Sequence, residues 1–469
     1  MNEPLLRPPA PRPVGPFRTA LRILVQRRTD VLGALPRRAY ESQVGHRPMR
    51  GRSIFLVNDP GVARDVMVDR VDVFPKSSLF TEVLGPLVGE GAFVANGETW
   101  RRRRDAIRPA FSHIALRGGF PHMSAAVDAA EARLDALAAS GEPFQLDEVM
   151  SHAAADVIFR TIFSQPIEAQ EARAVFDAFS RFQLLSDQIA PRRLFAARSA
   201  LKPTDAAQVE AVSRRIRDLL GRFVDARHAL LAQGGTPPRD MAQAILDAKD
   251  PATGESLDRE ALIDELAVFF MAGHDTTAST LTWAWFMVAR SPGAAERLRT
   301  EHRAAVDGEG RLSFEAAQER LPFARAVVRE ALRLYPPISF LARSPVGEQR
   351  LRRWTLRPDD IVIVSPWTMG RHRVAWRDAE RFDPDRFLNA DAAPEAQFPF
   401  GMGPRVCPGQ AFAMLESVLV LSRLAARFEL KPLHPGRVRA AGRVTVRPDR
   451  PIRCRAVRAD GLEAAATAG

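Results

Sequence analysis

Phe400-Gly401-Met402-Gly403-Pro404-Arg405-Val406-Cys407-Pro408-Gly409 holds one of the two cysteines of this 469-residue chain and leads into an apolar stretch with helical spacing over 410–428. A thiolate that ligates a metal has to be stabilised without being displaced. Its sulfur should therefore receive backbone N–H groups in a tight turn and face the positive end of a helix. Gly403 and Gly409 permit such a turn and the close approach of a flat macrocycle, and Pro408 suits a first helical position. Cys407 thus stands where a helix dipole favours a thiolate.

Iron held by such a thiolate in a haem is the chemistry this run serves. The plain alternative is a buried free cysteine acting as a small hydrophobe, the usual state of a lone cysteine inside a cell. Phe400, Arg405 and the glycines around Cys407 argue against it. With Cys407 on iron, a disulfide to Cys454 is excluded, and a reducing cytoplasm fits.

With Phe-x-x-Gly-x-Arg-x-Cys-x-Gly complete, the chain resembles the cytochrome P-450 superfamily, haem-thiolate monooxygenases, in its soluble bacterial type. The resemblance runs from about residue 52 to about residue 455. It implies a mainly α fold, a single large cytochrome P-450 type helical domain with a minor β region, over 17–456. It also implies haem b (iron protoporphyrin IX) with Cys407 as the axial ligand of its iron, and with Phe400 and Gly409 in contact with the cofactor. The Pro-rich stretch 1–16 is expected to be disordered, 17–26 to be a short amphipathic piece, and 457–469 to be a flexible tail.

A second run, Ala272-Gly273-His274-Asp275-Thr276-Thr277, lies in a long helical pattern that Asp258 caps and that continues to Arg290. A mid-helix glycine costs ~1 kcal/mol against alanine, and threonine hydroxyls can bond to carbonyls one turn earlier, so local distortion is expected. A widened turn beside a haem leaves room for dioxygen and a water, with an acid and an alcohol at hand to pass protons. Asp275 and Thr276 match the family's acid–alcohol pair; His274 is expected to face away.

Glu330-Ala331-Leu332-Arg333 puts an acid and a base three apart on one helical face, a pattern that Glu296 and Arg299 also satisfy. Only the first is followed by Leu334-Tyr335-Pro336-Pro337 and then by Phe382-Asp383-Pro384-Asp385-Arg386-Phe387. It resembles the family's Glu–Arg–Arg network, with Arg386 as third member and a role in folding. His372 and Trp376 are expected to be structural, with His372 close enough to support the site. Haem carries two propionates, for which arginine is suited. Trp100 and Arg104 resemble the family's Trp-x-x-x-Arg on an early helix, and Arg343 and Arg405 complete the candidate set. Arg101, Arg102 and Arg103 are expected to form a solvated or partner-docking face.

The net charge is +11, from 67 basic and 56 acidic residues, and the only lysines are Lys76, Lys202, Lys249 and Lys431. The arginines are scattered among acids without a helix-turn-helix or zinc pattern, which argues against nucleic acid and suits an acidic electron-transfer partner. No apolar run approaches the ~20 residues of a membrane span, so no transmembrane anchor and a cytoplasmic location are expected. Residues 74–96 read as a long substrate-facing loop. Helices over 100–235 are expected to break near 118–121, 141–143 and Pro191, and strands to form at 53–57, 361–365 and 443–446.

The resemblance implies insertion of one oxygen atom of O2 into a lipophilic small molecule, by hydroxylation or epoxidation. It also implies electrons from a separate ferredoxin or flavodoxin with an NAD(P)H reductase, since no dinucleotide motif is present. Segments 74–93, 182–197, 269–270, 338–341 and 447–452 correspond to pocket-lining segments in relatives. Two other readings are a haem-thiolate peroxygenase or isomerase, against which the Asp275–Thr276 pair speaks, and a non-enzymatic haem-based gas-binding protein.

Overall fold

Asp258 starts the helix on which the molecule is organised: its carboxylate accepts from the Ala261 N–H at 2.7 Å. The computed structural model describes residues 6–11, 13, 15, 30–33, 35–49, 51–195, 203–249, 253–388 and 394–459, with side chains omitted over 187–195 and 203–205. The helices in chain order are α1 (Pro60–Arg64), α2 (Ser78–Val88), α3 (Gly97–Ile107), α4 (His113–Ser140), α5 (Leu146–Phe163), α6 (Gln170–Phe195) and α7 (Pro203–Ala232). They continue as α8 (Met241–Leu246), α9 (Arg259–Val288), α10 (Pro292–Ala305), α11 (Phe314–Glu319), α12 (Pro322–Leu334), α13 (Pro366–Met369) and α14 (Gln410–Arg427). The fold is mainly α. The 30-residue α9 is buried along most of its length, with α5, α7, α12 and α14 packed around it. It is apolar on nearly every side, as a helix surrounded by others must be.

The minor β region begins with β1 (Val44–Met49), β2 (Arg52–Val57), β3 (Phe144–Gln145), β4 (Leu341–Arg343), β5 (Gln349–Leu351), β6 (Trp354–Leu356) and β7 (Ile361–Val364). After α14 come β8 (Phe428–Pro432), β9 (Ala440–Gly442), β10 (Val446–Pro448) and β11 (Arg453–Arg458). One sheet has the order β1-β2-β7-β4, with β2 and β7 parallel and the outer pairs antiparallel. A second has the order β3-β11-β8, and two hairpins pair β5 with β6 and β9 with β10. Of the strand expected at 443–446, residues 443–445 are instead the turn of the β9–β10 hairpin, and Val446 opens β10.

Three other expectations change. The loop expected over 74–96 contains α2, whose Val83, Leu84, Leu87 and Val88 are buried. Neither Gly118-Gly119 nor Pro121 interrupts α4, because Leu116, Phe120, Met123, Ala126 and Val127 form one buried face across them. Burial of that face outweighs the hydrogen bond that proline forgoes. Likewise α6 continues through Pro191. The break at Gly141 stands, with φ +67 at the C-cap, a left-handed conformation that glycine adopts without strain.

In the stretch expected to be disordered over 1–16, residues 6–11 lie against the molecule. The Pro9 carbonyl accepts from the hydroxyl of fully buried Tyr335 at 2.7 Å, and the Leu6 carbonyl accepts from the Phe382 N–H at 2.8 Å. The tyrosine hydroxyl has to be hydrogen-bonded once buried, which gives the segment its place. The piece expected over 17–26 lies outside the described residues, as does 460–469 of the tail; 457 and 458 belong to β11.

Candidate active site

Two left-handed glycines shape the turn before Cys407: Gly401 at φ +76 and Gly403 at φ +70. A Cβ on Gly403 would stand 2.7 Å from the Met67 carbonyl oxygen, so the position admits no larger residue. Gly409 has ordinary backbone angles and caps α14; Pro408 therefore precedes the cap and does not occupy the first helical position expected for it. A Cβ on Gly409 would lie 3.3 Å from Phe111 and 3.9 Å from the Cys407 sulfur. The Cys407 N–H donates to the Phe400 carbonyl at 2.9 Å, closing the turn. Burial pushes the Cys407 thiol up, opposed by the Gly409 N–H and by the Arg104 and Lys76 cations. Coordination to a metal would remove the remaining proton.

Cys407, Gly409 and Phe400 open onto one cavity, which Ala272, Gly273, Asp275 and Thr276 of α9 also line. The rest of the wall is largely apolar, including Phe80, Leu84 and Phe93 near α2, Phe179 and Phe182 of α6, and Ile338 and Leu341. Of the pair at 269–270, Phe269 lines the cavity, while Phe270 turns away onto Phe159 and Phe179. The last expected segment, 447–452, is displaced: Val444 and Thr445, in the β9–β10 turn, reach the cavity instead.

Four cations gather at the rim of this cavity. Trp100 and Arg104 stand one turn apart on α3 and both line it, as expected from their spacing. The Arg405 guanidinium lies over the Trp100 ring at 4.2 Å and donates to the Ala95 carbonyl and the Asn96 side chain. Arg343, on β4, is buried, with its Nε lacking a hydrogen-bond partner. Lys76 is the member that sequence reasoning missed: its ammonium donates to the Phe93 carbonyl and lies 4.1 Å from the centre of that ring. The signals for it were its place within the 74–93 segment and its scarcity as one of four lysines.

Burial, then mutual repulsion with Arg405, pushes Arg343 down to about 10; burial and Arg101 push Arg405 down to about 10. Lys76 is pushed strongly down, by burial first and then by Arg343 and Arg405. Among the described residues none of Lys76, Arg104, Arg343 and Arg405 is ion-paired with a carboxylate. Such a cluster calls for an anion of more than one charge. The two propionates of a haem, with Cys407 at hand for its iron, fit this donor set.

Across the cavity, the Thr276 hydroxyl donates to the Ala272 carbonyl at 2.5 Å, one turn back as expected. The helix itself stays α-helical through Gly273, contrary to the expected distortion. Gly273 faces α5 closely: a Cβ there would stand 2.5 Å from the end of the Ile158 side chain, which would have to shift to admit it. Asp275 is held from the far side: the Thr445 hydroxyl donates to it at 2.6 Å and Arg447 forms an ion pair with it. His274, expected to face away, also lines the cavity; it contacts Ser151 at 2.9 Å and stacks on Phe270, and burial pushes its imidazole down to about 3, leaving it neutral.

The Glu330–Arg333 pair is fully buried and bidentate, at 2.7 and 2.8 Å, and Arg386 adds a third contact to Glu330 at 3.1 Å. Arg333 also donates to the carbonyls of Gly370, Ala379 and Arg381, tying α12 to the segment before the cysteine turn. The Glu296–Arg299 pair also forms, with Glu296 exposed to solvent. His372 is bonded near Glu41 and is not among the cavity residues, so the support expected of it is absent. Trp376 donates to the Met369 carbonyl and is structural. Arg103 departs from the solvated face expected for it, turning inward towards Asp264 at 3.6 Å.

The fold agrees with the comparisons. The chain is 28% identical over 429 residues to cyclooctatin synthase of Streptomyces melanosporofaciens, covering 89% of this chain and 88% of that protein. It is 26% identical to Protein LUTEIN DEFICIENT 5, chloroplastic, of Arabidopsis thaliana, covering 82% of this chain and 66% of that one. The crystal structure of the cytochrome P450DA heme domain superposes with a TM-score of 0.78 at 20% identity, covering 89% of this chain and 90% of that chain. Residues 37–452 match the family described as Cytochrome P450, and the chain belongs to that family of haem-binding monooxygenases.

Proposed function

We propose that this protein hydroxylates or epoxidises a lipophilic small molecule with O2 and two electrons delivered by a separate ferredoxin or flavodoxin and its NAD(P)H reductase. The observation that carries the reading is the placement of Cys407 and the Asp275–Thr276 pair on the same otherwise apolar cavity. Haem, when bound, supplies the activation of dioxygen. Cys407 holds the iron, while Gly409 directs its N–H at the sulfur and leaves space beside it. Lys76, Arg104, Arg343 and Arg405 receive the propionates, and Trp100 supports Arg405 from beneath.

The Thr276 hydroxyl donates to the Ala272 carbonyl, so its oxygen is free to accept from a group in the cavity and would hand on a proton once it leaves that carbonyl, and Asp275 is the buried acid next to it in the chain. Apolar walls exclude water and favour a lipophilic guest. The basic balance of the chain suits an acidic electron donor. Two unpaired cysteines suit a cytoplasmic setting. Among the described residues no helix is long and apolar enough to cross a membrane.

The test is the absorption spectrum of the reduced, carbon-monoxide-bound protein, followed by turnover with reductant. A strongly red-shifted main band that Cys407→Ala abolishes supports the ligand assignment. A band unchanged in Cys407→Ala removes it. Turnover with peroxide but never with reductant would favour the peroxygenase reading.

A further inference from the structure

Gln183 and Ser186 lie one turn apart on α6 and both line the cavity, so they share a face. Ser186 is 1% exposed, and its hydroxyl has no hydrogen-bond partner among the described residues. The Gln183 Nε2 is buried and likewise unpartnered. The orientation of its amide is set: Arg447 donates to the Gln183 Oε1 at 3.2 Å, which leaves the NH2 end as a donor. Phe179 and Phe182 flank the pair within the cavity wall and provide no acceptor. Buried donors without partners are rare in folded proteins, and at a ligand cavity they mark where a ligand atom belongs.

We propose that Gln183 and Ser186 form a hydrogen-bonding subsite that selects a lipophilic substrate bearing a neutral oxygen, a carbonyl or a hydroxyl. The inference rests on the monooxygenase reading of the same cavity and specifies its substrate. Gln183 donates to the oxygen, and Ser186 donates to or accepts from it. A carboxylate is disfavoured, because the charge of Arg447 is already balanced by Asp275, while the other cations gather near Cys407. Arg447 acts here as a positioning residue that keeps the amide turned.

The test uses the holoprotein and four probes on one rigid skeleton: decalin, 2-decalone, 2-decalol and decalin-2-carboxylate. Binding is read by equilibrium dialysis, and in parallel by the shift of the haem band. The ketone and alcohol are expected to bind about 5-fold tighter than decalin, the worth of one neutral hydrogen bond. That preference, taken as the ratio of 2-decalone to decalin binding within each protein, should fall to within about 2-fold in Gln183→Leu and shrink in Ser186→Ala. Equal binding of decalin and 2-decalone, tightest binding of the carboxylate, or a preference that survives both variants would overturn the proposal. If Gln183→Leu does not fold, Gln183→Met and Ser186→Ala carry the same comparison. Dialysis does not depend on haem ligation. A preference without a thiolate-type carbon monoxide band keeps the subsite and removes the monooxygenase reading, whereas the band without the preference removes the subsite alone.

Discussion

Arg447, on β10, pairs with Asp275 on α9 across 172 positions of sequence, its guanidinium lying against Oδ1 while Thr445 donates to Oδ2. Both groups are mostly buried, so removing one leaves the other without compensation. Arg447→Met should cost roughly 3 kcal/mol of stability, and Asp275→Asn in the same chain should recover most of it. Denaturant unfolding of the holoprotein checks this; an additive double variant would mean that the pair contributes nothing. Asp275→Asn alone should lower kcat on the order of 100-fold while substrate binding holds.

Thr276→Ala removes the hydroxyl that donates to Ala272 and leaves the helix backbone unchanged. Haem content should be normal and NAD(P)H consumption should continue, with product per NAD(P)H down by roughly 10-fold and hydrogen peroxide rising to match. Coupling equal to wild type would assign proton delivery to another group.

The cationic rim predicts a pH dependence. In the protein without an anion at this place, Arg343 and Arg405 are pushed down to about 10, and Lys76 is pushed down strongly, by burial and by one another. Propionates would restore their protons, so the haem-bound form holds more protons than the haem-free form. By linkage, haem affinity falls as pH rises through the lowered range of Lys76 and on towards about 10. Transfer of haem to an acceptor protein should accelerate over that range. At neutral pH it should be faster in Lys76→Met, Arg343→Met and Arg104→Ala than in wild type, and unchanged in Arg102→Ala.

Glu330→Ala should be among the most destabilising single changes in the chain. It leaves Arg333 fully buried without its carboxylate and also removes the acceptor for Arg386 and for the Asp383 N–H. The expected loss is roughly 3–5 kcal/mol. Glu296→Ala breaks a pair of the same spacing at an exposed position and should cost under about 1 kcal/mol. Unfolding curves for the two variants check the contrast.

What could be read from the chain was what chemistry or local geometry forces into neighbouring residues. A thiolate turn needs Gly403 in a left-handed conformation against Met67, and that need writes itself into ten consecutive positions. A helix spanning the molecule announces itself through its cap at Asp258. Lys76, Arg447 and Gln183 fall in segments expected at the pocket, but their individual roles escaped because those come from contacts made across the fold: Lys76 joins Arg343, and Arg447 joins both Asp275 and Gln183. No spacing rule links such positions. Gly273 shows a right residue in a different setting, since it brings α9 close to Ile158 and the helix does not distort. Gly118, Gly119 and Pro121 carry punctuation that α4 overrides, because tertiary burial is worth more than local propensity.

Glu265, about two turns before Ala272 on α9, gives the last prediction. It is fully buried, accepts from the Ala92 N–H at 2.9 Å with one oxygen, and has no hydrogen bond to the other. Burial, only partly offset by the Ala92 N–H and by Arg103, pushes its carboxyl up to about 7. A carboxyl raised in the folded state favours the protonated form there. Its stabilising share is therefore fully present below its ordinary value of 4.5 and is lost as pH rises through about 7. By pH 8 the loss amounts to about 3 kcal/mol, because a tenfold change in proton affinity between the folded and unfolded chain is worth ~1.4 kcal/mol. Its local effect should be loosening of the 89–94 segment, which carries Ala92 and Phe93 into the cavity wall. Glu265→Gln keeps an acceptor for Ala92 and cannot ionise, so it should be more stable than wild type at pH 8 and similar at pH 5. Hydrogen exchange at residues 89–94 should slow in the variant at pH 8. Identical pH profiles for the two proteins would show that Glu265 stays in one protonation state throughout, and that another group holds the segment in place.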